Sequence, residues 1–294
     1  MKTPVAVQAR GLMPSLSPAE QRVAHVVINA GAGASRFTIT ELAERAGTSE
    51  TTVIRFCRAM GFSGYSELRL TLAAEAGRAA EDGGGPAEMG SDISPHDSLD
   101  EVVKKIAFAD ARAVEDTAAQ LDVGELERVV GRVAKARRVD IYGVGASAFV
   151  AQDFQQKLHR IGRVAFAWCD LHIALTSAAL LGKQDVAFGI SHTGTTLDTI
   201  EAFSEAGRRG ATTVALTNFP KSPLASVADF VLTTAARETT FRSGAMASRL
   251  AQLTVVDCVF VGVAQRTYAQ TKRALEVTFE AANTRRLSPE RRRG

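Results

Sequence analysis

The sequence predicts two joined domains of different class: an all-α N-terminal domain over residues 1–76 and an α/β domain over residues 98–284, the latter built as three layers around a parallel five-stranded sheet. Three observations predict this. Residues 15–76 carry apolar side chains at helical spacing and no strand-like alternation. Residues 77–97 contain three consecutive glycines (Gly83 to Gly85), Pro86 and Pro95, and almost no large apolar residue, which is the composition of a flexible linker. Beyond it, short β-branched runs alternate with helical patterns, as a parallel sheet covered on both faces requires.

In chain order, Ser17-Pro18-Ala19-Glu20 reads as a helix start, with a capping serine, proline at the first position and an acid in the first turn. Val23, Val26, Val27 and Ala30 continue that helix. Helical patterns follow at 38–46, 49–60 and 66–76. After the linker, Leu99, Val102, Val103 and Ile106 mark one amphipathic helix, and Leu126, Val129, Val130 and Val133 mark a second. Strands are expected at 139–142, 164–167, 185–190, 212–216 and 230–233, with helices at 148–161, 172–181 and 196–208 between them. One long helix over about 245–269 closes the domain, and an arginine-rich tail, 285–294, is expected to be disordered.

Composition narrows the function classes. A length of 294 residues suits two domains, and 46% hydrophobic with 23% charged residues excludes a wholly disordered chain. Cys57, Cys169 and Cys258 are odd in number and widely spaced, which argues against a disulfide framework or a cysteine metal site and for a reducing cytoplasm. No stretch has the pattern of a signal peptide or a membrane span. The net charge of +3 neither demands nor excludes nucleic acid; residues 1–76 hold eight Lys/Arg against six Glu.

Residues 39–60 (ITELAERAGTSETTVIRFCRAM) fit a helix-turn-helix. Ala43 permits close helix crossing, Gly47 suits the turn, Leu42, Val53 and Phe56 supply a shared core, and Ser49 caps the second helix. That second helix buries Val53, Phe56, Cys57 and Met60, with Cys57 as apolar filler. Its other face presents Ser49, Glu50, Thr51, Ile54, Arg55 and Arg58 to a major groove. Ser49, Thr51 and Thr52 suit phosphates at the helix start, Arg55 a base edge and Arg58 a phosphate. The same pattern also fits a plain helical hairpin with a solvated face.

Two loops at carboxyl ends of strands suit an anion. Gly143-Val144-Gly145-Ala146-Ser147 lets backbone N–H groups approach a ligand at a helix N-terminus. Ser191-His192-Thr193-Gly194-Thr195-Thr196 is dense in hydroxyls, as a phosphate ester needs. Ordinary tight turns would look the same. A dinucleotide reading of Gly143-x-Gly145, with Ala148 as the third small residue, is weak because Asp170 comes late for the ribose acid.

These residues resemble the RpiR family of bacterial transcription regulators. The segment ELAERAGTSETTVIRFCRAMGFSGYSELRLTL, preceded by SLSPAEQRVAHVVINA, is similar to its helix-turn-helix domain. YGVGAS, GISHTGTTLDTIEA, VALTN, SPLASVADFVL and SRLAQLTVVD are similar to its sugar isomerase (SIS) domain. The resemblance implies a cytoplasmic regulator, expected to repress, that binds double-stranded operator DNA as a dimer or tetramer. It implies a sugar phosphate as effector, with no metal, cofactor or catalytic residue. Carried over by position, Ser147, Ser191, Thr193 and Thr196 hold the phosphosugar and Gly145 and Gly194 shape the loops, while His192 fills a variable position that is either ligand-facing or superficial. Thr193 stands where many such loops have serine. The alternative is a sugar-phosphate isomerase, whose general base would come from His172, His192, Glu238 or Asp257.

Overall fold

The computed structural model describes residues 4–81, 93–238, 242 and 248–283. The N-terminal domain is helical: α1 (Val5–Leu12), α2 (Pro18–Ala30), α3 (Ile39–Arg45), α4 (Glu50–Ala59) and α5 (Tyr65–Glu81), with 3₁₀ turns at Met13–Ser15 and Gly31–Arg36. Capping boxes start two of them. Ser17 and Glu20 satisfy each other's backbone N–H groups at α2, and Thr38 and Glu41 do so at α3. Val23, Val27, Leu42, Val53, Phe56, Leu68 and Leu72 form the core between the helices.

The C-terminal domain runs α6 (Leu99–Gln120), α7 (Val123–Lys135), β1 (Arg138–Tyr142), α8 (Ala146–Arg160), β2 (Ala165–Trp168), α9 (Leu171–Ala178), β3 (Asp185–Ile190), α10 (Leu197–Arg208), β4 (Thr212–Thr217), α11 (Pro223–Ser226), β5 (Phe230–Thr233), α12 (Ser248–Arg266) and α13 (Tyr268–Asn283). All strand pairs are parallel, in the order β2-β1-β3-β4-β5. Alternation along the strands makes two cores. Ile141, Phe188 and Val214 face α7, α8 and α12, where Val129, Phe154 and Val259 await them. Their neighbours Tyr142, Ala187 and Ala215 face α9, α10 and α11, against Ala178, Phe203 and Leu224. Five strands and a helical layer on each face match the fold class expected from sequence.

Several boundaries differ from the sequence expectation. Helix α1 carries no strong apolar period of its own; its Val5 and Ala9 are buried only because they join the core of the N-terminal domain. Helix α5 continues to Glu81, five residues into the stretch read as linker, and residues 82–92 of that stretch lie outside the described residues. The closing helix expected over about 245–269 is α12, and a further helix that was not expected, α13, follows a break at Thr267, whose hydroxyl donates to the Val263 carbonyl at 2.8 Å. Such back-bonding from threonine bends helices. The tail 285–294 also lies outside the described residues.

Candidate functional site

The N-terminal candidate is the α3–α4 unit. Both of its helices end in the same hydrogen-bonded stop: Thr48 N–H donates to the Ala43 carbonyl and Gly47 N–H to that of Glu44, while Phe62 and Gly61 repeat the pattern on Cys57 and Arg58. Gly47 sits in the turn at φ +57°, as the sequence predicts. Arg22 of α2 clamps this turn, its guanidinium donating to the carbonyls of Ala46 at 3.0 Å and Gly47 at 3.2 Å. Ser49 caps α4 by accepting the Thr52 N–H at 3.3 Å. Val53, Phe56, Cys57 and Met60 are buried, and burial pushes the Cys57 thiol up to about 11, which leaves it inert.

The outward face of α4 is the one expected. Ser49, Glu50, Thr51, Arg55 and Arg58 are exposed, and Thr52 and Ile54 are half-buried. Two details were not legible in the sequence. Arg55 leans on Glu20 of α2, Nε to Oε1 at 3.5 Å, and Glu50 accepts from the Thr40 hydroxyl at 2.6 Å. The Ser17 hydroxyl and backbone N–H hold the Glu20 carboxyl below its usual range, with Arg55 adding to the effect, so Glu20 stays charged beside Arg55. Arg58 makes no ion pair among the described residues.

The second candidate lies at the carboxyl edge of the sheet. In this strand order the chain leaves β1 towards β2 on one side and β3 towards β4 on the other. The crevice between β1 and β3 is thus the topological switch point, where open α/β sheets hold ligands. The two loops singled out in the sequence follow these two strands and flank it. Both lead into helices whose N-termini lack a side-chain cap: Gly145 precedes α8 and Thr196 precedes α10 with no capping hydrogen bond. By contrast α6, α7, α9 and α11 are capped by Ser98, Asp122, Asp170 and Ser222. Two sets of helix-starting N–H groups therefore remain available to an anion at one crevice. Asp170, engaged as a cap to the Ile173 N–H at 3.1 Å, is not presented as a ribose acid.

The second loop is tightly built. Ser191 Oγ accepts from the Gly194 N–H at 3.1 Å and lies 3.0 Å from the Thr196 hydroxyl. Gly194 stands at φ +64°, and a Cβ there would lie 2.1 Å from Ser222 Oγ. Thr193 is exposed on the rim, where its hydroxyl accepts from that of Thr195 at 2.8 Å. Ser147 is buried at the start of α8. The loop is pinned to β4, since the His192 carbonyl accepts from the Asn218 N–H at 3.0 Å and the Thr217 hydroxyl at 3.1 Å. His192 is not a surface residue: its ring packs edge-on against Phe219, centroids 5.6 Å apart. Burial lowers its pKa despite the opposing pull of Glu238, so the ring is neutral near pH 7.

The other residues weighed as a general base lie apart. His172 is exposed, and Asp257 is exposed on α12 in an ion pair with Lys157. Asn218 and Ser222, which buttress the loop, close and open two segments already noted as SIS-like, VALTN and SPLASVADFVL, but sequence reasoning gave neither a role because their partners lie in the distant β3–α10 loop and α11. A groove of about 890 Å³ between α7 and α12 is lined by none of the sequence-predicted binding residues. Among the described residues no His/Cys/Asp/Glu cluster could hold a metal ion, and no helix is long and apolar enough to cross a membrane.

Helix α1 joins the two candidate sites. Its Gln8 side chain donates to the Met60 carbonyl at the end of α4 at 2.7 Å, and Val5 N–H donates to Glu75 of α5 at 2.9 Å. On the other side, Arg10 pairs with the buried Asp116 of α6 at 3.6 Å. A Cβ on Gly11 would sit 3.7 Å from Pro220 Cδ and 3.8 Å from the Asn218 carbonyl. One helix thus touches both the domain carrying α4 and the segment that pins the Ser191 loop.

Comparison with known proteins places this architecture. Residues 7–78 match the helix-turn-helix domain of the rpiR family, and residues 132–262 match the SIS domain. An uncharacterized HTH-type transcriptional regulator of Caldanaerobacter subterraneus subsp. tengcongensis is 39% identical over 97% of this chain and 99% of its own. The chain belongs to the rpiR family of helix-turn-helix transcriptional regulators. Another member, the uncharacterized regulator YbbH of Bacillus subtilis, is 35% identical over 92% of this chain and 94% of its own. Among solved structures, the Vibrio vulnificus NanR protein complexed with ManNAc-6P is 30% identical, with a TM-score of 0.61 over 97% of this chain and all of that one. The sugar isomerase domain of an RpiR transcription factor from Sphaerobacter thermophilus, 25% identical, superposes with a TM-score of 0.56 over 61% of this chain and 99% of that one. The RpiR-family regulator is thus read as a DNA-binding half and an SIS half.

Proposed function

We propose that this regulator is a cytoplasmic sensor of a sugar phosphate, which binds in the β1/β3 crevice and alters the affinity of α4 for operator DNA. The observation that carries the reading is the pair of uncapped helix N-termini on either side of the switch point, with the Ser191 and Thr196 hydroxyls between them. A phosphoryl group supplies the acceptors that those N–H groups lack. That NanR was solved with a phosphosugar supports the same choice of ligand class. Phosphate contacts fall to Ser147, Ser191, Thr193 and Thr196, with Gly145 and Gly194 giving close backbone approach.

On the DNA side, Arg58 and Arg55 reach the duplex, and Ser49, Thr51 and Thr52 take phosphates at the start of α4. Glu50 and Ile54 border that contact. A homo-oligomer, dimer or tetramer, places two α4 helices on a palindromic operator. Repression is the expected sense. The reading as a sensor rather than an isomerase rests on the scattering of the candidate bases, of which only His192 and Glu238 approach each other.

Helix α1 carries the message. A ligand that shifts the Ser191 loop moves Asn218 through its hydrogen bond to His192, and Asn218 borders Gly11. The effect on DNA affinity equals the ligand's differential affinity for the two arrangements. The test is a fluorescence-anisotropy titration of the upstream DNA with full-length protein, with and without a panel of sugar phosphates that includes ManNAc-6P. A shift in DNA affinity with one of them, abolished by Ser191→Ala with Thr193→Val, supports the reading. Turnover of a ketose or aldose phosphate without DNA binding would replace it with the isomerase.

A further inference from the structure

Side chains from three segments, one of them the Ser191 loop, bury polar atoms that have no partner. Gln252, fully buried on α12, leaves both its amide nitrogen and its oxygen unbonded. Ser248, one turn earlier on the same face and also fully buried, leaves its hydroxyl unbonded. The Ser248 backbone N–H donates to Glu238 Oε1 at 2.8 Å, and Glu238 Oε2 is left over. Glu238 lies within electrostatic reach of His192, whose Nδ1 is again without a partner. Buried polar groups are nearly always bonded in folded proteins, so a local concentration of orphans calls for a cause.

Helix packing does not supply one. The positions that follow Gln252 on its side of α12 are Val255, Val256, Val259 and Val263, all apolar and all in the core. An apolar residue at 252 would continue that stripe without penalty. The polar chain is instead placed where α12 begins after β5, and it reaches the β3–α10 loop through Glu238 and His192.

We propose that Gln252, Ser248, Glu238 and His192 form the sugar-recognising end of the crevice, binding the hydroxyl or amide groups of a phosphosugar whose far end is uncharged. This rests on the phosphate site proposed above. Gln252 offers a donor and an acceptor together, which suits a hydroxyl pair or an amide substituent. Ser248 offers either role, and Glu238 Oε2 accepts only. A second anionic group on the ligand would meet Glu238 at close range. The site therefore prefers neutral sugar monophosphates over sugar-acid phosphates and bisphosphates.

Calorimetric titration of the full-length protein tests this, using ManNAc-6P, glucose 6-phosphate, fructose 6-phosphate, 6-phosphogluconate, fructose 1,6-bisphosphate and inorganic phosphate. Wild type is expected to bind at least one neutral monophosphate better than the two polyanions. Gln252→Leu is expected to weaken that monophosphate about tenfold or more and leave inorganic phosphate unchanged. Without ligand, Gln252→Leu should unfold at the same or a higher temperature, because an unbonded amide is replaced by an apolar chain. Glu238→Gln, at a partly exposed position, should narrow the discrimination against 6-phosphogluconate, and it carries the test alone if Gln252→Leu does not fold. Wild-type sugar affinity in both variants overturns the proposal while leaving the phosphate site intact. Lower stability of unliganded Gln252→Leu overturns it too, by showing that the amide is satisfied within the fold. Absence of binding by any of these phosphates removes the phosphate site and this inference together.

Discussion

Replacing Gly194 by alanine perturbs the second loop in a way the geometry quantifies. The residue stands at φ +64°, where a Cβ costs about 1–2 kcal/mol. The new methyl would also lie 2.1 Å from Ser222 Oγ, 2.4 Å from Ser222 Cβ and 3.0 Å from Thr217 Oγ1. Ser222 cannot retreat: it is buried, and its hydroxyl caps α11 through the Ala225 N–H at 3.3 Å. Overpacking of this kind costs about 1–3 kcal/mol more. Gly145 provides the control, with φ +58° and ψ −130° but no atom within 4 Å of its built Cβ. Gly145→Ala therefore bears backbone strain alone, on the order of 1–3 kcal/mol. Gly194→Ala bears strain and clash, about 2–5 kcal/mol, or roughly 5–15 °C in the unfolding temperature of a domain this size. The assay is thermal and urea unfolding of both variants, followed by the Gly194→Ala, Ser222→Gly double variant. Removing the Ser222 side chain should return about 1 kcal/mol or more beyond additivity. If Gly194→Ala costs no more than Gly145→Ala, or the double variant is merely additive, the tight closure of the loop is wrong.

Three further outcomes are expected. Arg58→Ala should weaken operator binding about tenfold and lower the salt dependence of binding by about one counterion, read by anisotropy at several ionic strengths; an unchanged slope would remove Arg58 from the interface. Arg10→Ala should preserve DNA binding and sugar-phosphate binding measured separately yet reduce the influence of one on the other; full coupling in this variant would move the path away from α1. His192 should make folding pH-dependent. Its folded pKa lies below the unfolded value near 6.5, so the unfolded chain takes the proton first and stability falls as pH drops below that value. His192→Gln should accordingly lose less stability than wild type between pH 7.5 and 5.5, and an equal loss would show that this ring is not desolvated.

The sequence was most readable where local rules act. Ser17 and Ser49 announce their helices through capping chemistry confined to four residues, and the short β-branched runs such as Val139–Tyr142 mark strands without tertiary knowledge. The two anion loops stood out because glycine and hydroxyls follow a strand directly. Features that depend on distant partners were not visible. Nothing in the sequence VAVQARGL announces a helix that bridges domains; its burial comes from Met60, Glu75, Asp116 and Pro220. Ser248 and Gln252 fall in the SIS-like segment SRLAQLTVVD and Glu238 was weighed as a base, but only their shared lack of partners groups them.

The Arg55–Glu20 contact bears on the proposed reading of DNA by α4. Sequence reasoning gave Arg55 the leading role at a base edge, and the fold hands part of its charge to α2. The pair is largely exposed on the arginine side, and exposed pairs contribute about 0–1 kcal/mol, so a duplex can take the guanidinium at small cost. Glu20 behaves differently, because its capping box with Ser17 keeps it charged whether or not Arg55 is present. When Arg55 swings to a base, Glu20 retains Ser17 and α2 stays capped, so no second rearrangement is forced on the core. On the proposed reading, Arg58, with no ion-pair partner among the described residues, meets the backbone first and holds α4 in register while Arg55 exchanges one contact for another. In the proposed complex, phosphate attraction by Arg58 therefore sets affinity, and sequence discrimination rests on the geometry that Arg55 attains after it leaves Glu20.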